Sequence, residues 1–310
     1  MQYEEMSYDL VIVGAGPAGL SAAIRLKQLD KQFNTNHSVC IIEKGSEVGA
    51  HIISGAILEP SALDELVPNW QKTDIPVKTK VTKESFHFFS ENSSIKIPSF
   101  FLPQDMKNDG NYIISLGNLC KWLGNYAEQL GVDIFPGFAA QKILYDDEGA
   151  VKGVLSGEKG ITKSGSKSEL YEPPIALLAN QTFFAEGCRG HLGKTLLKKF
   201  KLYDSEKSFQ TYAIGIKEVW EIKNSVFEKG NILHSIGWPL NKNAYGGSFL
   251  YKLSDNLASV GFVVGLDYEN PYLNPYQEFQ RFKTHNNIKS ILSSGKRVSY
   301  GARALNEGGL

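Results

Sequence analysis

Tyr8-Asp9-Leu10-Val11-Ile12-Val13-Gly14-Ala15-Gly16-Pro17-Ala18-Gly19-Leu20-Ser21-Ala22-Ala23-Ile24-Arg25-Leu26-Lys27 decides the fold. Tyr8–Val13 is a nearly continuous apolar run with β-branched residues, the pattern of a strand buried on both faces of a parallel sheet. Gly14 to Gly19 matches G-x-G-x-x-G, and strong helix formers follow it. Between strand and helix each glycine has a mechanical task. Gly14 allows the tight turn, Gly16 lets the backbone approach a pyrophosphate, and Gly19 lets helix and strand pack closely. Pro17 suits a first helical turn, where no N–H is needed. The helix N-terminus then offers N–H groups and a positive dipole end to phosphates. Val13, Gly14, Ala15, Gly16, Pro17, Ala18 and Gly19 are therefore the first candidate nucleotide-binding residues.

Ser38–Ile42 reads as the second strand and ends in Glu43, 24 positions beyond Gly19. A carboxylate there accepts hydrogen bonds from ribose hydroxyls and repels a 2′-phosphate, which disfavours NADP. The fingerprint serves NAD and FAD alike. Lys44 to Ala56 then runs into a loop punctuated by Gly and Ser instead of the next regular β-α repeat. Such a loop suits an extended flavin nucleotide and adds Lys44, Gly49, His51 and Ser54 as candidates. A plain glycine-rich connection is the alternative.

The chain has 310 residues, enough for roughly two domains. Its 33 Lys plus Arg balance 33 Asp plus Glu, so no basic field exists to collect nucleic acid. Every apolar run falls short of the roughly 20 residues a helix needs to cross a bilayer. Cys40, Cys120 and Cys188 are scattered, without a C-x-x-C pair or a His at ligand spacing, so no metal site is read. No catalytic side chain is read either, and none is needed if a flavin carries the electrons. The free thiols and the acidic start Met1–Glu5, without a signal or transit pattern, point to a reducing compartment.

Longer blocks carry a resemblance: Asp9–Leu29, Glu43–Pro60, Gly110–Val132, Phe183–Lys194, Gln210–Trp220, Gly237–Tyr251, Gly265–Lys283 and Gly295–Gly309. Together they resemble the electron transfer flavoprotein–ubiquinone oxidoreductase family nearly end to end. The resemblance implies an α/β fold in which a glutathione-reductase-like FAD-binding Rossmann domain is interwoven with an antiparallel-sheet quinone-binding domain. It implies FAD as cofactor, electron transfer flavoprotein and ubiquinone as partners, and a monotopic membrane contact at the cytoplasmic face of a bacterial inner membrane. A [4Fe–4S] cluster is expected only in a C-terminal region that family members carry beyond these blocks, so the chain reads as an N-terminal fragment. Glu186-Gly187 resembles the acid-glycine pair that contacts FAD in glutathione-reductase-like flavoproteins; a strand-to-helix turn is the alternative. Gly246 and Gly247 match the family's ubiquinone-binding positions, although residues 245–251 read equally as a hairpin turn with a packing aromatic. A geranylgeranyl-reductase-type or hydroxylase-type flavoenzyme and a non-catalytic FAD-binding remnant are the rival readings.

The expected division is 1–75 and 179–205 for the FAD domain, 76–178 for a β-rich and helical insertion, 206–303 for the ubiquinone-binding domain, and 304–310 for the start of a return to the FAD domain. Residues 117–131 predict a helix. Val132–Phe138 with Lys142–Tyr145, Val151–Leu155 and Ile175–Leu178 predicts a small β-meander, and Ser156–Ser168 a hairpin connection. Two segments offer apolar surface for a membrane, Gly49–Asn69 and Ile97–Pro103.

Overall fold

The computed structural model describes residues 3–53, 55–202, 210–222 and 227–307. The chain begins with β1 (Glu4–Val13), α1 (Pro17–Phe33) and β2 (Val39–Glu43). It then leaves this unit for β3 (Ala56–Leu58), α2 (Ser61–Leu66), β4 (Thr79–Lys80), β5 (Lys83–Phe89), β6 (Ser94–Ile97) and β7 (Tyr112–Ile114). It returns for α3 (Leu116–Gln129), β8 (Val132–Pro136), β9 (Ala140–Tyr145), β10 (Val151–Ser156), β11 (Lys159–Ile161), β12 (Lys167–Glu172), β13 (Ile175–Phe184) and α4 (His191–Lys199). The last excursion contains β14 (Thr211–Glu221), β15 (Asn231–Gly237), β16 (Gly246–Lys252), β17 (Leu257–Gly265), α5 (Pro275–Thr284), α6 (Asn286–Leu292) and β18 (Lys296–Glu307). Two compact units result, Met1–Ile52 with Gly117–Glu206, and Ile53–Leu116 with Lys207–Leu310.

The first unit is built on a six-stranded sheet in the order β8-β2-β1-β13-β10-β9. β8, β2, β1 and β13 are parallel; β10 runs antiparallel to β13 and to β9, so that β9 points the same way as the first four. The apolar run of β1 is the reason: Val11, Ile12 and Val13 are covered on both faces, as are Val39–Ile42 of β2 beside them. Leu20, Ala23 and Ile24 of α1 are fully buried.

The end of α1 carries a polar cluster. Asn34 closes the helix in the left-handed conformation, and the buried Asp30 carboxylate accepts from the His37 N–H at 3.0 Å, from Thr35 Oγ1 at 2.8 Å and from Lys27 Nζ at 3.1 Å. Burial pushes the Asp30 carboxyl up, but hydrogen bonds from His37, Thr35 and Lys27 outweigh it and hold the group well below the usual carboxylate range. A carboxyl whose folded pKa lies below its unfolded value of about 3.9 stabilises the fold fully above that pH and loses the contribution as pH falls. The urea midpoint of the wild-type chain is thus expected to drop more steeply below about pH 4 than that of Asp30→Asn. Equal slopes would remove Asp30 from the acid response.

The second unit centres on a seven-stranded sheet, β18-β14-β17-β16-β15-β5-β6, antiparallel except for the β15–β5 pair. α5 and α6 bury Phe279, Phe282, Ile288 and Ile291 with Leu250, Val260, Phe262 and Val264 of the sheet in one core. Asn274 caps α5, its side chain accepting from the N–H groups of Tyr276 and Gln277, with Pro275 at the first helical position. A small sheet, β3-β7-β4, completes the unit.

Several expectations need correction. Val132–Pro136 is no part of a meander: β8 pairs parallel with β2 as a further Rossmann strand. Ile175–Leu178 is the start of a longer strand, β13, which pairs parallel with β1. The division of the chain also differs, since residues 53–75 lie in the second unit and 117–178 in the first. Residues 304–307 continue β18 along β14 rather than starting a return, and 308–310 lie outside the described residues. Ser94–Ile97 is a strand, but after Pro98 the chain turns into a 3-10 helix, Ser99–Phe101, because proline cannot extend the ladder.

Candidate functional site

The strand–turn–helix at Gly14–Gly19 has the expected construction. β1 hands the chain to the turn with Gly14 N–H donating to Ile42 O at 2.9 Å and Ala185 N–H donating to Val13 O at 2.9 Å. Gly14 has φ +109°, and a Cβ there would lie 2.5 Å from the Ala185 carbonyl oxygen. At Gly19 a Cβ would lie 2.1 Å from the Gly14 carbonyl oxygen, which fixes how closely α1 approaches the turn. Gly16 is different: a Cβ would meet nothing within 4 Å. It is the N-cap of α1, no side chain caps the helix, and the first turn carries no acid. An open approach to a helix N-terminus without a capping side chain fits an anion such as a pyrophosphate.

Glu43 closes the same loop from β2. Its Oε2 accepts from the Ala15 N–H at 2.9 Å and its Oε1 from the Gly45 N–H at 2.7 Å. An ionised carboxylate has about four acceptor positions, so two remain for ribose hydroxyls. The residues present therefore fit the nucleotide half of a dinucleotide. Val13 is buried and Pro17 and Ala18 are exposed at the helix start, while Lys44 is exposed just past β2. Gly49, with φ +86°, serves a close approach: a Cβ would lie 2.3 Å from Gly117 O at the start of α3. His51 is exposed, and its Nδ1 would lie 3.6 Å from a Cβ on Gly45. Ser54 lies outside the described residues.

Glu186 follows β13. Both its oxygens are engaged by α4, Oε1 accepting from the Leu192 N–H at 3.0 Å and Oε2 from the Gly193 N–H at 2.7 Å. Sequence reasoning did not foresee this capping role, because the loop between acid and helix hides their proximity. Gly187, with φ +82°, leaves open space where a Cβ would be. Burial pushes the Cys40 and Cys120 thiols up to about 12 and also raises Cys188 against the opposing charge of Arg189, so none is an activated thiolate. Among the described residues no group of three or more His, Cys, Asp or Glu could hold a metal ion.

In the second unit Gly246 and Gly247 open β16 rather than forming a free turn. A Cβ on Gly246 would lie 2.2 Å from Val263 O, and one on Gly247 2.9 Å from Ser235 O, so both let neighbouring strands close up. The sheet also gathers polar groups that the sequence analysis did not single out. His234 Nε2 and Tyr251 Oη are 2.8 Å apart, and His234 Nδ1 is 3.6 Å from Glu84 Oε1. Burial lowers the His234 pKa against the opposing pull of Glu84, and burial followed by Glu84 raises that of Tyr251. Lys217 Nζ donates to Gly55 O at 2.8 Å, and burial lowers its pKa. These residues are far apart in sequence, so no local spacing could have announced them.

A glycine-fingerprinted parallel sheet in one unit and a large, mostly antiparallel sheet in the other define the class as a two-domain Rossmann protein of the flavoenzyme type. A geranylgeranyl bacteriochlorophyll reductase-like protein from Thermoplasma acidophilum has this fold, with a TM-score of 0.68 at 16% identity over 97% of this chain and 67% of that one. So does the FAD-dependent chondrochloren halogenase of a myxobacterium, with a TM-score of 0.61 at 19% identity over 97% and 64%. Family models for an NAD(P)-binding Rossmann-like domain and for the ubiquinone-binding domain of ETF-QO match residues 12–73 and 212–305. The electron transfer flavoprotein-ubiquinone oxidoreductase of Pseudomonas aeruginosa is 54% identical over 100% of this chain and 56% of its own length. The mitochondrial one of Oryza sativa is 50% identical over 99% and 52%. Over nearly its whole length the chain is therefore similar to electron transfer flavoprotein–ubiquinone oxidoreductases. It spans about half the length of the curated relatives it matches.

Proposed function

We propose that the chain provides the FAD-binding and ubiquinone-binding parts of an oxidoreductase that passes electrons from reduced electron transfer flavoprotein to ubiquinone. The observation that carries this reading is the match of residues 212–305 to a ubiquinone-binding model within a chain that is 54% identical, over its own length, to 56% of such an oxidoreductase. The backbone of Gly14–Gly19 and the N-terminus of α1 would hold the pyrophosphate, Glu43 the ribose, and the open edge at Gly187 the flavin side. When bound, FAD accepts electrons and passes them on. Gly246 and Gly247 supply bare backbone on which quinone carbonyls can be oriented.

Gly16 tests the nucleotide half. Its φ of −80° and ψ of −177° suit any residue, so Gly16→Val is expected to fold as the wild type does. Flavin affinity should fall about 100-fold, from losing one or two charge-assisted hydrogen bonds at about 1.5–3 kcal/mol each. The readout is flavin absorbance retained after gel filtration of the FAD-loaded chain. Wild-type retention by Gly16→Val would move the pyrophosphate elsewhere. The quinone half is tested by mixing the reduced, flavin-loaded chain with ubiquinone-1; a flavin that stays reduced would defeat the reading.

The reading includes a monotopic contact with the cytoplasmic face of a bacterial inner membrane. Among the described residues no helix is long and apolar enough to cross a membrane. Phe100 and Phe101 are 73% and 70% exposed on the 3-10 turn after Pro98, near Ile95 at 67%. The Gly49–Asn69 segment is the weaker candidate, because α2 and the residue after it turn Leu63 and Val67 inward. Replacing both phenylalanines by serine is expected to cut co-flotation with phosphatidylglycerol-containing vesicles at least tenfold, since each buried aromatic contributes about 1.5–3 kcal/mol. Unchanged flotation would place the contact elsewhere.

A further inference from the structure

Gly247, Phe249 and Tyr251 alternate onto one face of β16, and His234 of β15 stands opposite Phe249 in the antiparallel ladder. β5 runs beside β15 and places Phe86 next to His234 and Glu84 next to Ile232. Three titratable side chains meet there as a chain: Tyr251 Oη is 2.8 Å from His234 Nε2, and His234 Nδ1 is 3.6 Å from Glu84 Oε1. Asn108 fixes the far end, its Nδ2 donating to Glu84 Oε1 at 2.6 Å and its N–H to Oε2 at 3.1 Å. The Phe249 ring lies over Gly261 of β17, where a Cβ would be 2.1 Å from it, and stacks on Tyr251 with centroids 4.4 Å apart. Tyr251 is buried, whereas the His234 and Glu84 side chains are 23% and 19% exposed. The line thus runs from a group with access to solvent to a hydroxyl on the face that carries Gly247.

We propose that Tyr251 is the acid that protonates one carbonyl oxygen of the quinone, and that His234 and Glu84 resupply its proton. The proposal rests on the quinone reading of this unit and adds to it the path of a proton. Gly247 and Tyr251 are four strand residues apart, about 13 Å at about 3.3 Å per residue. The carbonyl oxygens of a para-quinone point to opposite ends of its ring. Tyr251 leans back along β16, its hydroxyl reaching His234 opposite Phe249, which shortens that span; a ring over the Gly247 end with one oxygen there turns the other toward this hydroxyl.

Ubiquinone takes two electrons and two protons to become ubiquinol, and the electrons come from the reduced flavin of the proposed function. At the Tyr251 end the tyrosine O–H bond breaks as the quinone O–H bond forms. The His234 Nε2 proton moves to the tyrosine oxygen, and Nδ1 takes a proton from water by way of the Glu84 carboxyl. The second proton, at the opposite oxygen, comes from water. Glu84 is the charged group facing His234 from the strands packed around it. His234 and Glu84 act through Tyr251 and are positioning residues.

The flavin-loaded 310-residue chain is the test object. In the oxidised protein, ubiquinone-1 should shift the His234 side-chain nitrogen resonances, because a quinone accepting the Tyr251 O–H strengthens the hydrogen bond that His234 Nε2–H donates to the tyrosine oxygen; Y251F should abolish the shift. After reduction, single-turnover reoxidation by ubiquinone-1 should slow roughly 100-fold in Y251F, and H234Q should flatten the pH profile of that rate, both with flavin retained. Reoxidation of Y251F at the wild-type rate, or His234 resonances unmoved by ubiquinone-1 in a chain that it reoxidises, overturns the relay and leaves the quinone reading standing. A wild-type chain that holds flavin but is neither shifted nor reoxidised by ubiquinone-1 overturns both. Should Y251F fail to fold, the rates of H234Q and E84Q decide by the same criterion.

Discussion

Replacing Gly19 by alanine is expected to destabilise the nucleotide-binding unit by about 3 kcal/mol, at the upper end of the usual cost of overpacking. The added methyl would sit 2.1 Å from the Gly14 carbonyl oxygen, 3.0 Å from Ile12 Cγ2 and 3.3 Å from Ala185 Cβ. The nearest of these is backbone in the turn that Gly14 makes under β13, so no side chain can swing aside. α1 must move off the sheet, and Leu20, Ala23 and Ile24, all fully buried, lose contact together. At roughly 2–4 °C per kcal/mol for a unit of this size, the melting temperature should fall by about 10 °C, and flavin retention should fall with it. The contrast with Gly16→Val is the point of the experiment. That variant is expected to keep its melting temperature and lose only the nucleotide. A Gly19→Ala chain that melts within about 2 °C of wild type would mean that the helix does not depend on this approach.

The second large effect lies in the other unit. Glu218 is 1% exposed on β14, and its carboxylate accepts from Lys283 Nζ of α5 at 2.7 Å, Arg297 Nη1 of β18 at 3.1 Å and Trp220 Nε1 at 2.8 Å. One buried anion therefore ties a helix and two strands. Glu218→Ala leaves the Lys283 ammonium, whose side chain is 12% exposed, without its counter-charge. Breaking a buried pair from one side costs about 3–5 kcal/mol. Arg297 adds little, since its side chain is 42% exposed and water screens it. The double variant Glu218→Leu with Lys283→Met should recover most of the loss, because removing both charges leaves none unpaired. Urea midpoints of the three chains measure this, and a Glu218→Ala loss below about 1 kcal/mol would show that water reaches the site.

The same contrast between near and far explains what could be read in advance. The nucleotide turn was legible because strand, turn and helix lie within 20 residues and each glycine answers a local demand. Glu43 was legible because a fixed spacing brings the end of β2 to the turn, and it meets Ala15 there. The role of Glu186 at α4 was not legible, although acid and helix start are only a few residues apart, because capping depends on how the loop folds back. Val132–Pro136 was assigned to a meander since its alternation suits either partner; parallel pairing with β2 is a choice made by the whole sheet. The domain boundaries were misplaced for a related reason: composition does not change where the chain crosses between units.

By itself the sequence determined the Rossmann turn, the acid that closes it, the glycine pair on β16 and the resemblance these residues carry. Each is a short pattern whose chemistry is complete within a few dozen residues. Only the tertiary structure decided that 53–116 joins 207–310, that Glu218 is shared by β14, α5 and β18, and that Glu84, His234 and Tyr251 form one line. Those arrangements arise from strand register and burial, which join residues as distant as Ser94 and Asn287, 193 positions apart, and no local periodicity encodes which distant strand becomes a neighbour.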